Sequence, residues 1–351
     1  MPQSVVLLAP PAASPLTGGY LYNRLIAEHL ETDGRARYRW VSRRDLVPLL
    51  SQLGARPPLT PAVVDSLYFT LGPLQRQPRK PRPAMVLLCH VIPWQFWPKL
   101  PEPGSIDRYL AGVAGIVTTS LATTAELRHT LAERRIPLPV AACPPGVDLD
   151  RFSPAVAPHR STASHAALTV LTVANVQGEK GYLFLLEALA DLRALPWRWR
   201  IAGDCAVEPE TVVRLRARVA ELGLEQRVEL LGALAGAALV AEYQRADLMV
   251  LATERESFGM ALVEALACAV PVLVSDLAGT AEALASTGGG VLVPTGERMA
   301  WRRALRSLLT DPQRRAQLRQ RALDARGKLQ TWDAAAQRFV AAIARIVAQA
   351  A

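Results

Sequence analysis

Residues Ala246–Asp276 read ADLMVLATERESFGMALVEALACAVPVLVSD. The two ends, ADLMVLAT and VPVLVSD, are short apolar runs of the kind that form strands buried on both faces. Between them ALVEALACAV is rich in alanine and leucine and reads as the start of a buried helix. Strand, loop, helix and strand make one βαβ unit of a parallel sheet. Of the glutamates in the loop and helix, Glu256 and Glu264 stand on either side of Phe258-Gly259. In one unbroken helix that spacing would set them roughly 12 Å apart along the axis and on different faces. A retaining glycosidase needs its carboxylates about 5 Å apart, so the spacing argues against such an acid/base pair. With the helix starting near Gly259, Glu256 lies in the loop facing its open end and Glu264 lies in its second turn. The amides of Phe258, Gly259 and Met260 then point at whatever sits between them, which suits a polar, phosphate-bearing ligand. The bland alternative is a solvated glutamate before a helix and a second one satisfied within it.

Outward from this stretch the alternation continues. LTVLTVAN, WRWRIAGD and VELLG read as strands, and YLFLLEALADLRAL, VVRLRARVAELGL and LVAEYQRA as helices. In the first half, SVVLLAP, Tyr38–Val41, AMVLLCH and GIVTTS read as strands, with helices in YLYNRLIAEHLE and ATTAELRHTLAERR. Gly18 and Gly19 form a glycine-bearing loop after the first strand, without the GxGxxG spacing of a dinucleotide fingerprint. A turn-rich passage, PPGVDLDRFSP, and a small-residue stretch, APHRSTASHAA, separate the halves. The expected architecture is α/β, with two Rossmann-like domains and a ligand cleft between them at the carboxyl ends of the strands. They cover residues 1–158, completed by a final amphipathic helix at 331–351, and residues 166–330.

A chain of 351 residues, half apolar and a fifth charged, is long for one core and suits two. No apolar run approaches the 18 or so residues of a membrane span and the first residues lack a basic signal region, so the expected compartment is the cytoplasm. Cys89, Cys143, Cys205 and Cys268 are far apart, with no disulfide framework or zinc spacing. The net charge of +9 is carried mostly by the first half, but as scattered arginines; only RQPRKPR at 76–82 is dense, and no nucleic-acid module is present. His90 ends an apolar run, where a lone histidine is usually packed or on the surface. Asp148-Leu149-Asp150 is a D-x-D string placed where turn and capping chemistry account for it.

PPGVDLDRF, VANVQGEKG, IAGD, ELLG, the stretch quoted first with its continuation LAGTAE, and the closing TWDAAAQRF resemble the family 4 retaining glycosyltransferases, the glycosyl transferases group 1, of GT-B fold. The likeness covers nearly all of residues 144–340 and is thinner in GGY and CHVIP. It implies a nucleotide-sugar donor, UDP- or GDP-linked, against the second domain. Glu256 would hold the sugar hydroxyls beside the amides of Phe258, Gly259 and Met260. Glu264 would bind the ribose, and Lys180 would neutralise the diphosphate. His90 would face the donor sugar from the first domain, while Gly18 and Gly19 would approach the diphosphate and acceptor. Glu256, His90 and Lys180 form the implied catalytic set, with no cofactor or metal. Asn175 stands where the family commonly has an arginine, and Val91 where an aspartate often follows the histidine. The implied reaction is sugar transfer with retention to an acceptor that is a small molecule, a glycan or a lipid-linked group. The alternatives are a catalytically weak homologue serving as a partner subunit and a nucleotide-sugar epimerase. Trp94, Phe96 and Trp97, with Lys99 and the 76–82 segment, read either as a peripheral membrane contact or as loop packing near the acceptor.

Overall fold

The computed structural model describes residues 5–9, 17–31, 36–54, 60–69, 84–96, 105–110, 112–155 and 167–350. They divide into two compact units, Met1–Gly146 with Gln330–Ala351, and Val147–Leu329. The first boundary thus falls at Gly146 rather than near residue 158. The reason is packing: Val147 and Phe152 are buried in the second unit's core with Tyr243, Leu262 and Leu266, and the Arg326 guanidinium donates to the carbonyls of Leu149, Phe152 and Ala267. Of the APHRSTASHAA stretch, all but Ala167 lies outside the described residues.

The first unit contains β1 (Val5–Ala9), α1 (Gly18–Glu31), β2 (Ala36–Trp40), α2 (Arg43–Gly54), β3 (Ala62–Asp65), β4 (Met85–Cys89), α3 (Ser105–Leu110), β5 (Val113–Thr118), α4 (Leu121–Glu133) and β6 (Val140–Ala142). Its strands form one parallel sheet in the order β2-β1-β3-β4-β5-β6. Every residue of β1, β3 and β4 is buried, as near-continuous apolar runs in a parallel sheet require. The order of winding reverses between β1 and β3.

The second unit contains β7 (Leu168–Val173), α5 (Tyr182–Ala190), β8 (Trp197–Ala202), α6 (Pro209–Glu221), β9 (Val228–Gly232), α7 (Gly236–Arg245), β10 (Leu248–Leu251), α8 (Met260–Ala267), β11 (Val272–Ser275), α9 (Ala278–Ala285), β12 (Gly290–Val293), α10 (Arg298–Thr310) and α11 (Pro312–Ala325). Its sheet is also parallel, in the order β12-β11-β10-β7-β8-β9. That is the doubly wound Rossmann order, with its switch point between β7 and β10. Trp197, Trp199 and Trp301 fill its core. The opening stretch of sequence is β10-α8-β11, with Met249 paired to Val272.

The last helix, α12 (Trp332–Ala350), belongs to the first unit. Its Trp332 and Phe339 rings meet Tyr22 of α1 edge-on. Ile346 lies so close to Gly115 of β5 that a Cβ there would approach it to 2.5 Å. Among the described residues no helix is long and apolar enough to cross a membrane, and all four cysteines are free.

Candidate active site

The loops that follow β7 and β10 meet at the second unit's switch point, where the crevice beyond the strand ends is a general ligand seat. They are stitched together by backbone contacts: Glu254 donates its N–H to the Glu179 carbonyl at 2.8 Å, and Thr253 Oγ1 contacts the carbonyls of Glu179 and Arg255. Gly181, between Lys180 and α5, has φ +71°, and a Cβ there would collide with the Ala252 carbonyl oxygen. Only glycine permits that approach. Lys180 is thereby carried to Glu256: its Nζ donates to Oε2 at 3.1 Å and reaches the Arg255 carbonyl at 3.5 Å. The two side chains are 17% and 19% exposed, so this charge pair is mostly withdrawn from water yet still open to a ligand.

Helix α8 starts at Met260, capped by Gly259 at φ +95°. The amides of Phe258, Gly259 and Met260 make no hydrogen bond among the described residues, so they and the helix dipole offer positive potential beside Glu256. Gly279 in α9 lies against the Glu256 carbonyl, where a Cβ would clash. Glu264, one turn further along α8, accepts a hydrogen bond from the buried Tyr243 hydroxyl at 2.8 Å. Burial pushes its carboxyl up to about 7, against the opposing pull of the Tyr243 hydroxyl and the Arg151 charge. Asn175 is half-buried, and its Oδ1 accepts the Asp204 N–H at 3.3 Å. It therefore shapes the loop rather than supplying the charge of the arginine common in the family.

In the first unit the residues singled out gather at the carboxyl ends of β3 and β4. His90 directly follows β4 and is 7% exposed. Its Nε2 meets Asn23 Oδ1 at 3.0 Å and lies 3.5 Å from Asp65 Oδ2, and Asn23 Nδ2 donates to that same carboxylate oxygen. Gly18 opens α1, and Gly19 lies on the histidine ring, where a Cβ would come within 3.1 Å. Asn23 and Asp65 carry no spacing that marks them in the sequence. Asp148 is the turn residue the sequence suggested, its Oδ1 accepting the N–H groups of Asp150 and Arg151. Trp94 packs against the first unit's core, while Trp97, Lys99 and residues 76–82 lie outside the described residues.

Two six-stranded parallel sheets of these orders, each wrapped by helices, place the chain in the GT-B fold class. It is similar to the glycosyltransferase from Rickettsia africae, with a TM-score of 0.75 over 98% of this chain and 98% of that one, at 14% identity. It is also similar to the Anabaena HepE protein in complex with UDP-glucose, with a TM-score of 0.73 over 97% and 99% at 16% identity. At such identities the likeness is one of fold. The family model described as glycosyl transferases group 1 matches residues 159–324, and the chain carries a domain of that family. Over 211 residues it is 36% identical to a D-inositol 3-phosphate glycosyltransferase from Kineococcus radiotolerans, covering 53% of this chain and 47% of that protein. The chain spans about half the length of the curated relatives it matches.

Proposed function

We propose that this protein is a glycosyltransferase that moves a sugar from a nucleotide-sugar to an acceptor, with retention at the anomeric carbon and without a divalent metal. The observation that carries this reading is the Lys180–Glu256 pair at the β7/β10 switch point beside the free amides of α8. A carboxylate accepts two hydroxyl protons from one sugar, while an ammonium is a point charge suited to phosphate. Negative charge grows on the departing diphosphate, so Lys180 and the α8 amides stabilise the transition state more than the bound donor. Glu264, next along the same helix, takes the ribose hydroxyls, and His90 faces the sugar. UDP is the first nucleotide to try, because HepE has a crystal structure in complex with UDP-glucose.

Glu256→Ala is expected to abolish transfer while leaving the thermal transition cooperative; an active Glu256→Ala enzyme would refute the assignment. Thermal stabilisation by UDP, GDP or ADP identifies the base, since a ligand specific to the folded state raises stability with its concentration. The anomeric configuration of the product tests retention, and undiminished turnover in EDTA tests metal independence. A second reading, a catalytically weak partner subunit, draws on Asn175, whose side chain is committed to the Asp204 amide where a cation would serve the diphosphate. Transfer by the purified chain alone distinguishes the two.

A further inference from the structure

The polar cluster of the first unit fixes more than a position. A carboxylate only accepts, so the group of Asn23 that faces Asp65 is its amide nitrogen, and the amide oxygen is left facing His90. That oxygen accepts as well, so the ring nitrogen opposite it at 3.0 Å, Nε2, must carry the proton. Asp65 is 3.5 Å from Nε2, too far to compete for the same proton, and acts through Asn23. All three groups are buried, with Asn23 and Asp65 at 0% exposure, so water does not offer the ring an alternative partner on this side. The Tyr22 ring meets the imidazole edge-on at 5.4 Å, and Gly19 leaves only enough room for the ring where it stands. Nδ1 has no hydrogen-bond partner among the described residues.

We infer that Asn23 and Asp65 are positioning residues that lock His90 as the Nε2–H tautomer and so leave Nδ1 as a lone-pair acceptor for a ligand hydroxyl. The inference deepens the reading of His90 as a sugar-facing residue, and it explains why an asparagine is buried among the apolar residues on the inner face of α1 and an aspartate at the end of an apolar strand. Its consequence is a polarity: His90 accepts a hydrogen bond from the ligand and does not donate one.

The test is the tautomer itself. In the full chain labelled with 15N-histidine, long-range 1H–15N spectra at pH 8, with His90→Gln to assign the signal among the five histidines, are expected to show Nδ1 unprotonated and Nε2 protonated. Asn23→Leu is expected to abolish that preference. Asp65→Ala, which takes away the acceptor that holds the Asn23 nitrogen away from the ring, is expected to weaken it. In the transfer assay, Asn23→Leu should lower kcat by about 10–100-fold with donor KM changed less, as for partners that orient a working histidine elsewhere. A ring protonated at Nδ1 or charged in the wild type, or an unchanged ring in Asn23→Leu or in Asp65→Ala, overturns the inference. The wild-type spectrum decides even where Asn23→Leu does not fold. It is also independent of the donor-site assignment, which stands or falls with Glu256→Ala.

Discussion

Glu264 enters the folded state at a cost that depends on pH. Its carboxyl is raised from an ordinary 4.5 to about 7 by burial, with the Tyr243 hydroxyl and Arg151 offsetting part of the rise. Below about 4.5 it is protonated in both folded and unfolded chains. Between there and about 7 the folded state holds a proton that the unfolded state has lost, so this group's contribution to stability falls as pH rises and levels off above 7. Glu264→Gln is therefore expected to gain stability relative to the wild type between pH 5 and pH 8, by on the order of 1–2 kcal/mol in urea denaturation of the unliganded protein. No gain with pH would mean the carboxylate is better solvated than its surroundings imply. At this scale the sequence was partly legible. Glu256, Glu264 and Lys180 stand at spacings tied to a strand end and a helix start, and the structure places each in the loop or helix expected of it. The direct contact between Lys180 and Glu256 was not foreseen, because it depends on how two loops far apart in sequence are threaded. Asn23 and Asp65 gave no signal at all: one polar residue inside a helix and one at the end of a four-residue strand look like any others until the sheet order brings them together.

The elements that hold the site depend on glycine where two backbones touch. Gly181 ends the turn bearing Lys180 with φ +71°, and its missing Cβ makes room for the Ala252 carbonyl at the end of β10. Gly181→Ala combines left-handed strain with a clash against backbone, which has no rotamer to yield. A loss of at least about 2 kcal/mol in chemical denaturation is expected. The same variant should weaken stabilisation by UDP, because the two loops must part; unaltered nucleotide response would separate stability from site geometry. Most buried strands and helices are readable as elements because apolar runs and helical spacing repeat enough to be seen, β10 and β11 included although each has four residues. The helix α2 is not, nor are the strands β3, β6 and β12, of four, three and four residues. Pairing to a neighbour makes them strands, and pairing is not a local property. At the start of α4 the cap is Ser120, whose side chain accepts the Thr123 N–H at 3.0 Å.

The whole molecule is a continuous unit set inside a divided one. Val147–Leu329 is an unbroken segment with its own core of three tryptophans, whereas the first unit needs Gln330–Ala351 to cover β5 and α1. Residues 147–329 expressed alone are expected to unfold cooperatively and to retain stabilisation by nucleotide, as monitored by calorimetry; a non-cooperative transition would show that the segment relies on the other unit. Phe339, Ile343 and Ile346 are each no more than 2% exposed, so the closing helix is as much a part of the first core as the strands made at the beginning. During synthesis that arrangement inverts the usual order, in which the domain made first folds first. The β-strands of the first unit leave the ribosome early without the helix that covers β5 and β6, and they wait through the emergence and folding of the entire second unit before residues 332–350 arrive. Of these two units, the one whose strands are made first is completed last.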